Sequence, residues 1–173
     1  MNEVIKAMLE RRSCRSYEAR QVEEDALQQI LLAGTYAASG MGRQAAKIVV
    51  VQDAETIEQL RRMNAAVMGT PDADPFYGAP TVCIVLADPD VRTWTEDGSL
   101  VMGNLMLAAS TLGVASCWIH RAREEFDSPE GKALLKKWGI DERYRGIGHC
   151  ILGYAAAPLA AARARKDDYI VRV

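Results

Sequence analysis

Arg11-Arg12-Ser13-Cys14-Arg15-Ser16-Tyr17 places three guanidinium groups and two serine hydroxyls within one turn or tight bend. Planar guanidinium forks bind phosphate oxygens through paired, charge-assisted hydrogen bonds, and serine adds a neutral donor. The same arginines also suit a plainer role, because cations at a helix C-terminus complement the helix dipole. That terminus is the negative end, so a phosphate here must be held by side chains and loop amides, without help from a helix N-terminus. A second basic cluster, Arg163-Ala164-Arg165-Lys166, lies near the other end of the chain. A run of charge reads by default as a solvated face. If folding joins the two clusters, together they can neutralise one phosphomonoester.

Other polar residues are less suggestive. Asn64 shares a helical stripe with Ile57, Leu60 and Val67, and an amide on an apolar stripe needs a partner. Cys117, His120, His149 and Cys150 are all permitted zinc ligands. On strands, however, adjacent residues and residues three apart face opposite ways, so the four do not readily converge and no metal site is expected. Gly146-x-Gly148 lacks the third glycine of a dinucleotide fingerprint and leads into a strand, and there is no P-loop. Only two histidines exist, and no Ser/His/Asp or Cys/His arrangement announces a nucleophile.

The elements that position these residues follow from periodicity. Val4, Ile5, Met8 and Leu9 mark an amphipathic helix ending near Arg11. A second helix is expected from about Glu23 to Ala37, with Leu27, Ile30 and Leu31 buried, and Ala38 to Gly42 stops it. Lys47 to Val51 reads as a buried strand, followed by the helix that carries Asn64. Gly69 to Pro80 is a long connection, Thr81 to Ala87 a strand, and Asp97 to Leu112 a helix rich in small residues, suited to a central place or an interface. Val114 to Ile119 and Ile147 to Tyr154 read as strands, Ser128 to Trp138 as a capped short helix, and Tyr169 to Val173 as a terminal strand. Strands and helices intermix without regular alternation, which favours an α+β sandwich over a doubly wound sheet.

A chain of 173 residues with 49% hydrophobic and 25% charged residues suits one domain, 1–173, with a real core. A net charge of -2 argues against a surface-wide nucleic-acid footprint. The absence of a leader-like start or a bilayer-length apolar run points to a cytoplasmic protein with no membrane contact. Four widely spaced cysteines suit reduced core thiols.

Taken in order, several short motifs resemble one family. They are R-R-S-x-R-x-Y after the first helix, S-G-x-x-x-Q at Ser39 to Gln44, the Asp74 to Pro80 loop, L-G-V-A-S-C-W-I at Leu112 to Ile119, L-G-Y at Leu152 to Tyr154, and the late R-x-R. Their order and spacing resemble compact, FMN-dependent nitroreductase-like flavoproteins over nearly the whole chain. The resemblance implies a mostly antiparallel central sheet flanked by helices, in an intertwined homodimer with FMN sites at the subunit interface. It implies that Arg11, Arg12, Ser13 and Arg15 hold the phosphate and ribityl end of FMN, with Arg163 and Arg165 returning to that end or to the pyrimidine edge. Ser39, Gly40 and Gly42 match the segment a second subunit lays against the flavin. His120 and Arg121 match positions whose backbone approaches the reactive N5, and Asn64 matches a contact to the ring edge.

The implied activity is hydride transfer from NADH or NADPH through flavin N5 to a small-molecule acceptor such as a nitroaromatic or a quinone. No catalytic side chain is required, which fits the missing nucleophile. Gly42, Ala45 and Ala46 replace the Asn, Pro and aromatic residue common in the family, and His120 replaces a common acid. The alternative implied by those departures is an FMN-binding or flavin-handling protein without reductase turnover.

Overall fold

The structure, a computed structural model, describes all residues from Met1 to Val173. In chain order it forms α1 (Glu3–Glu10), α2 (Glu24–Thr35), β1 (Ala46–Val51), α3 (Ala54–Met68), β2 (Thr81–Ala87), α4 (Trp94–Thr111), β3 (Ala115–Ile119), α5 (Ala122–Asp127), α6 (Pro129–Lys137) and β4 (Arg145–Gly153). The four strands make one antiparallel sheet in the order β1-β2-β4-β3.

β2 explains the layering. Every residue of Thr81–Ala87 is buried, and alternate side chains enter two different cores. Val82, Ile84 and Leu86 join Leu60 and Met63 of α3, Phe76, Phe126 of α5 and Leu135 of α6. Cys83, Val85 and Ala87 face the other way, onto Leu27 and Ile30 of α2 and Met102 and Leu105 of α4. An antiparallel sheet covered on both faces needs apolar residues on both, and T-V-C-I-V-L-A supplies them.

β4 departs from simple alternation. Val85 pairs with Gly148 but Leu86 pairs with Gly146, so Ile147 is an extra residue, a β-bulge. Ile147 therefore packs in the same core as Cys150 and Leu152, while Ile151 enters the opposite one. Two glycines are needed around this strand. A Cβ on Gly98 of α4 would lie 2.4 Å from Ile147, and one on Gly146 would lie 2.1 Å from the Ala122 carbonyl oxygen. Helices α4 and α5 thus press on the bulged end of β4 from its two sides.

Most expected elements are present, β2 with the expected ends and the others with shifted ones, and three readings change. Helix α5 was not expected; Ala122, Glu125 and Phe126 form its buried stripe. Val67 is largely exposed, and Met63 takes the core position in its place. Tyr169 to Val173 is not a strand: it is exposed and pairs with neither edge of the sheet. Its alternating pattern has no partner strand within the chain, and extended backbone without a ladder has no reason to persist as a strand. No helix is long and apolar enough to cross a membrane.

Candidate functional site

Backbone pairing brings the two ends of the sequence together. The Cys14 amide donates to the Ser116 carbonyl at 2.9 Å, the Glu18 amide to Tyr154 at 2.9 Å, and the Ala156 amide to Ser16 at 3.0 Å. The segment after α1 is thereby fixed between the start of β3 and the end of β4. Cys14 points inward and is buried, whereas Arg15 is exposed. The chain leaving β4 then runs back past α1. The result is a groove of about 420 Å³ lined by Arg11, Arg12, Ser13, Arg15, Arg163, Arg165 and the tail's alanines. No carboxylate lines it, so its field is strongly positive.

The arginines are not equivalent. Arg12 Nη1 donates to the carbonyls of Leu9 at 2.8 Å and Arg11 at 2.6 Å, which closes the C-terminal end of α1. Arg11 Nη1 is buried with no hydrogen-bond partner in the chain. An unpaired buried charged donor is costly, and an anion in this groove is the group that would relieve it.

A second groove, of about 320 Å³, continues from the first through Arg15, which lines both. Its other walls are Met68, the Ala73 to Tyr77 loop, and Cys117 to Arg121. Tyr77 and Arg121 both have left-handed backbone, at φ 55° and 79°, uncommon for residues with a side chain. The site therefore has a cationic compartment joined to a mixed one, in which Tyr77, Trp118 and Ile119 stand beside Asp74, His120 and Arg121.

Beneath the second groove lies a buried polar cluster that the sequence did not reveal. Asn64 Nδ2 donates to the His120 carbonyl at 2.8 Å and to Glu125 Oε1, and Asn64 Oδ1 accepts from Arg121 Nε at 3.0 Å. Glu125 Oε2 lies 3.3 Å from His149 Nε2, with both side chains fully buried. The expected ring-edge role of Asn64 is therefore revised. Its amide is fully buried and its partners are protein groups, so it supports the His120-Arg121 turn from below. The helical spacing of Ala122, Glu125 and Phe126 was the signal for Glu125. His149 is a core residue, and no cluster of His, Cys, Asp or Glu is placed to hold a metal ion.

Ser39, Gly40 and Gly42 line neither groove. They lie in a short 3-10 turn on the α4 side, where the Gly40 amide donates to Asp97 Oδ1 at 2.9 Å. Ser39 lines a separate, largely apolar groove with Leu31, Ile48 and Val101.

Known proteins share this fold. A nitroreductase of Bacteroides fragilis, solved with bound FMN, superposes with a TM-score of 0.91 at 33% identity, covering 100% of both chains. Another from Desulfitobacterium hafniense, also with bound FMN, gives 0.90 at 27% identity, covering 100% of this chain and 99% of that one. An Archaeoglobus fulgidus protein with the provisional name NADH dehydrogenase/NAD(P)H nitroreductase is 31% identical over 160 residues, 89% of this chain and 86% of that one. The family model described as "Nitroreductase family" matches residues 8–154, a span running from the last turn of α1 past the end of β4 and so including the basic bend, the turn after β3 and the buried cluster beneath it. The chain belongs to the nitroreductase family.

Proposed function

We propose that the protein is an FMN-dependent oxidoreductase that takes hydride from NADH or NADPH and passes it to a small-molecule acceptor such as a nitroaromatic or a quinone. One observation carries the reading. Two grooves joined at Arg15 put a cationic cradle, containing an unpaired buried guanidinium nitrogen, next to a slot walled by Tyr77, Trp118, Ile119 and the His120-Arg121 turn. That sequence of environments fits a ligand with a phosphate at one end and a flat, mostly apolar ring at the other.

FMN fits these residues, and when bound it supplies the hydride chemistry, which the chain's own side chains lack. Arg11, Arg15, Arg163, Arg165 and Ser13 would hold the phosphate and ribityl end. Arg12 adds charge from its place at the end of α1. The walls from Trp118 to Arg121 and around Tyr77 would orient the ring and exclude water from its buried side. The backbone at His120 and Arg121 would offer a fixed donor to the reacting edge.

The working unit we propose is a homodimer. Helix α1 buries none of its residues within the chain, and Val4, Ile5, Met8 and Leu9 are each about half exposed. Leu100 and Gly103 extend an open face on α4. A stripe of this kind is normally covered. A second copy would cover it and bring its Ser39 to Gly42 segment to the slot.

Two measurements test the proposal. Titration should show FMN binding far more tightly than riboflavin, because the phosphate is the anchor; equal affinities would refute the cradle. Mixing FMN-loaded protein anaerobically with NADH or NADPH should bleach the flavin absorbance, and an acceptor should restore it. Bound flavin that neither nucleotide bleaches would favour a flavin-handling protein.

A further inference from the structure

We propose that Glu125, acting through Asn64, is a positioning residue that aims the Arg121 backbone N–H into the second groove. The geometry begins with one peptide bond. The His120 carbonyl is drawn to the buried side by Asn64 Nδ2 at 2.8 Å. A trans peptide is planar, with its C=O and N–H pointing opposite ways, so the Arg121 N–H points away from the interior, toward the groove that Arg121 lines. It makes no hydrogen bond within the chain.

Asn64 can hold that carbonyl only while its amide is correctly oriented, and Glu125 and Arg121 Nε both enforce that orientation. A carboxylate accepts and does not donate, so Nδ2 must face Glu125 and the His120 carbonyl, leaving Oδ1 for Arg121 Nε. Glu125 Oε2 lies 3.3 Å from His149 Nε2, a close approach without hydrogen-bond geometry. The His149 ring sits 5.2 Å from Phe76 and 6.3 Å from Phe126, centroid to centroid, which restricts its rotation. The chain of hydrogen bonds therefore runs from a carboxylate to an amide and ends at one peptide group with φ 79°. Left-handed backbone on an arginine persists only where its surroundings fix it. A fully buried carboxylate is seldom retained for stability, since apolar residues of similar size do as well.

The ligand in this inference rests on the FMN reading, but the clamp does not, and the experiment separates them. The first readout is the backbone order parameter of the Arg121 N–H in cofactor-free protein. It should be near the rigid value of about 0.85 and fall below about 0.6 in Glu125→Leu and in Asn64→Leu. Glu125→Gln, whose amide oxygen still accepts from Asn64, should restore it. The second readout is the N5 resonance of ¹⁵N-labelled FMN bound to each variant. Loss of the donor should move it downfield in both leucine variants, with FMN affinity little changed because the phosphate cradle is untouched, and Glu125→Gln should return it.

An Arg121 amide that stays rigid in folded Glu125→Leu and Asn64→Leu would overturn the proposal, leaving the cluster a packing feature. The same follows if the variants lose melting temperature while the N5 resonance stays put. If one leucine variant fails to fold, the other, with Glu125→Gln, decides. Wild-type protein that binds no FMN would refute the functional reading alone, and the order parameters would still judge the clamp.

Discussion

At the scale of single residues, the cradle turns on how each guanidinium is occupied. Arg12 is committed to the carbonyls at the end of α1, while Arg11 keeps a buried nitrogen free. Charge-assisted hydrogen bonds contribute about 1.5–3 kcal/mol each, so Arg11→Ala should weaken FMN binding by about one to two orders of magnitude. Riboflavin affinity should hardly change, and a fluorescence titration compares the two. The arginine types were legible in the sequence, but their division of labour was not, because it depends on which way each side chain turns after α1. The thiols permit a second prediction. Burial pushes the Cys83 thiol up to about 12 from 9.0, and burial pushes Cys150 well up too, with Cys83 and Cys117 nearby adding to it. All four cysteines are buried and free, so a thiol reagent at pH 8 should label none until denaturant is added. The folded state holds protons that the unfolded chain would release. The contribution of Cys83 to stability is therefore complete below pH 9, and it is lost as pH rises from about 9 toward 12. Urea titrations across that range should show a falling midpoint.

At the scale of elements, the sequence was most informative where one periodicity ran uninterrupted. Thr81 to Ala87 was read with its observed ends, and Ser128 was read as the cap it is, accepting from the Gly131 amide at 3.1 Å. The Ser128 hydroxyl also donates to the Glu125 carbonyl at 2.6 Å, joining α5 to α6. Ser128→Ala should therefore cost about 0.5–2 kcal/mol, read as a shift in the urea midpoint at unchanged slope. Helix α5 escaped notice because six residues are too short for a clear period and its buried stripe includes a glutamate. The polar cluster escaped for a related reason. Its members lie on α3, α5 and β4, and only tertiary packing makes Asn64, Glu125 and His149 neighbours.

At the scale of the whole molecule, the sheet separates two cores, with the basic groove where the two ends of the sequence meet and the apolar stripe of α1 beside it. If that stripe is the seam between two copies, Met8→Glu should release monomers, since an acid on the buried side of an apolar interface cannot be solvated. Sedimentation should then show the 19.0 kDa species, with FMN lost as the two-chain site comes apart. A Met8→Glu protein that stays dimeric and holds FMN would place the seam elsewhere. The tail reads in the same light: its apolar alternation was legible, yet nothing in one chain pairs with it.

Ile147 has a bearing on which single-residue losses the gene can tolerate. Gly146 and Gly148 already face consecutive partners, Leu86 and Val85, so removing the residue between them leaves a continuous ladder and every later side chain on its own face. What is lost is the filling beneath Gly98. Removing Cys150 instead shifts the strand by one position against β2 and sends Ile151 and Leu152 to the wrong cores. A deletion scan along β4, scored by soluble yield, should therefore show one permissive notch at Ile147, with every codon from His149 to Leu152 intolerant.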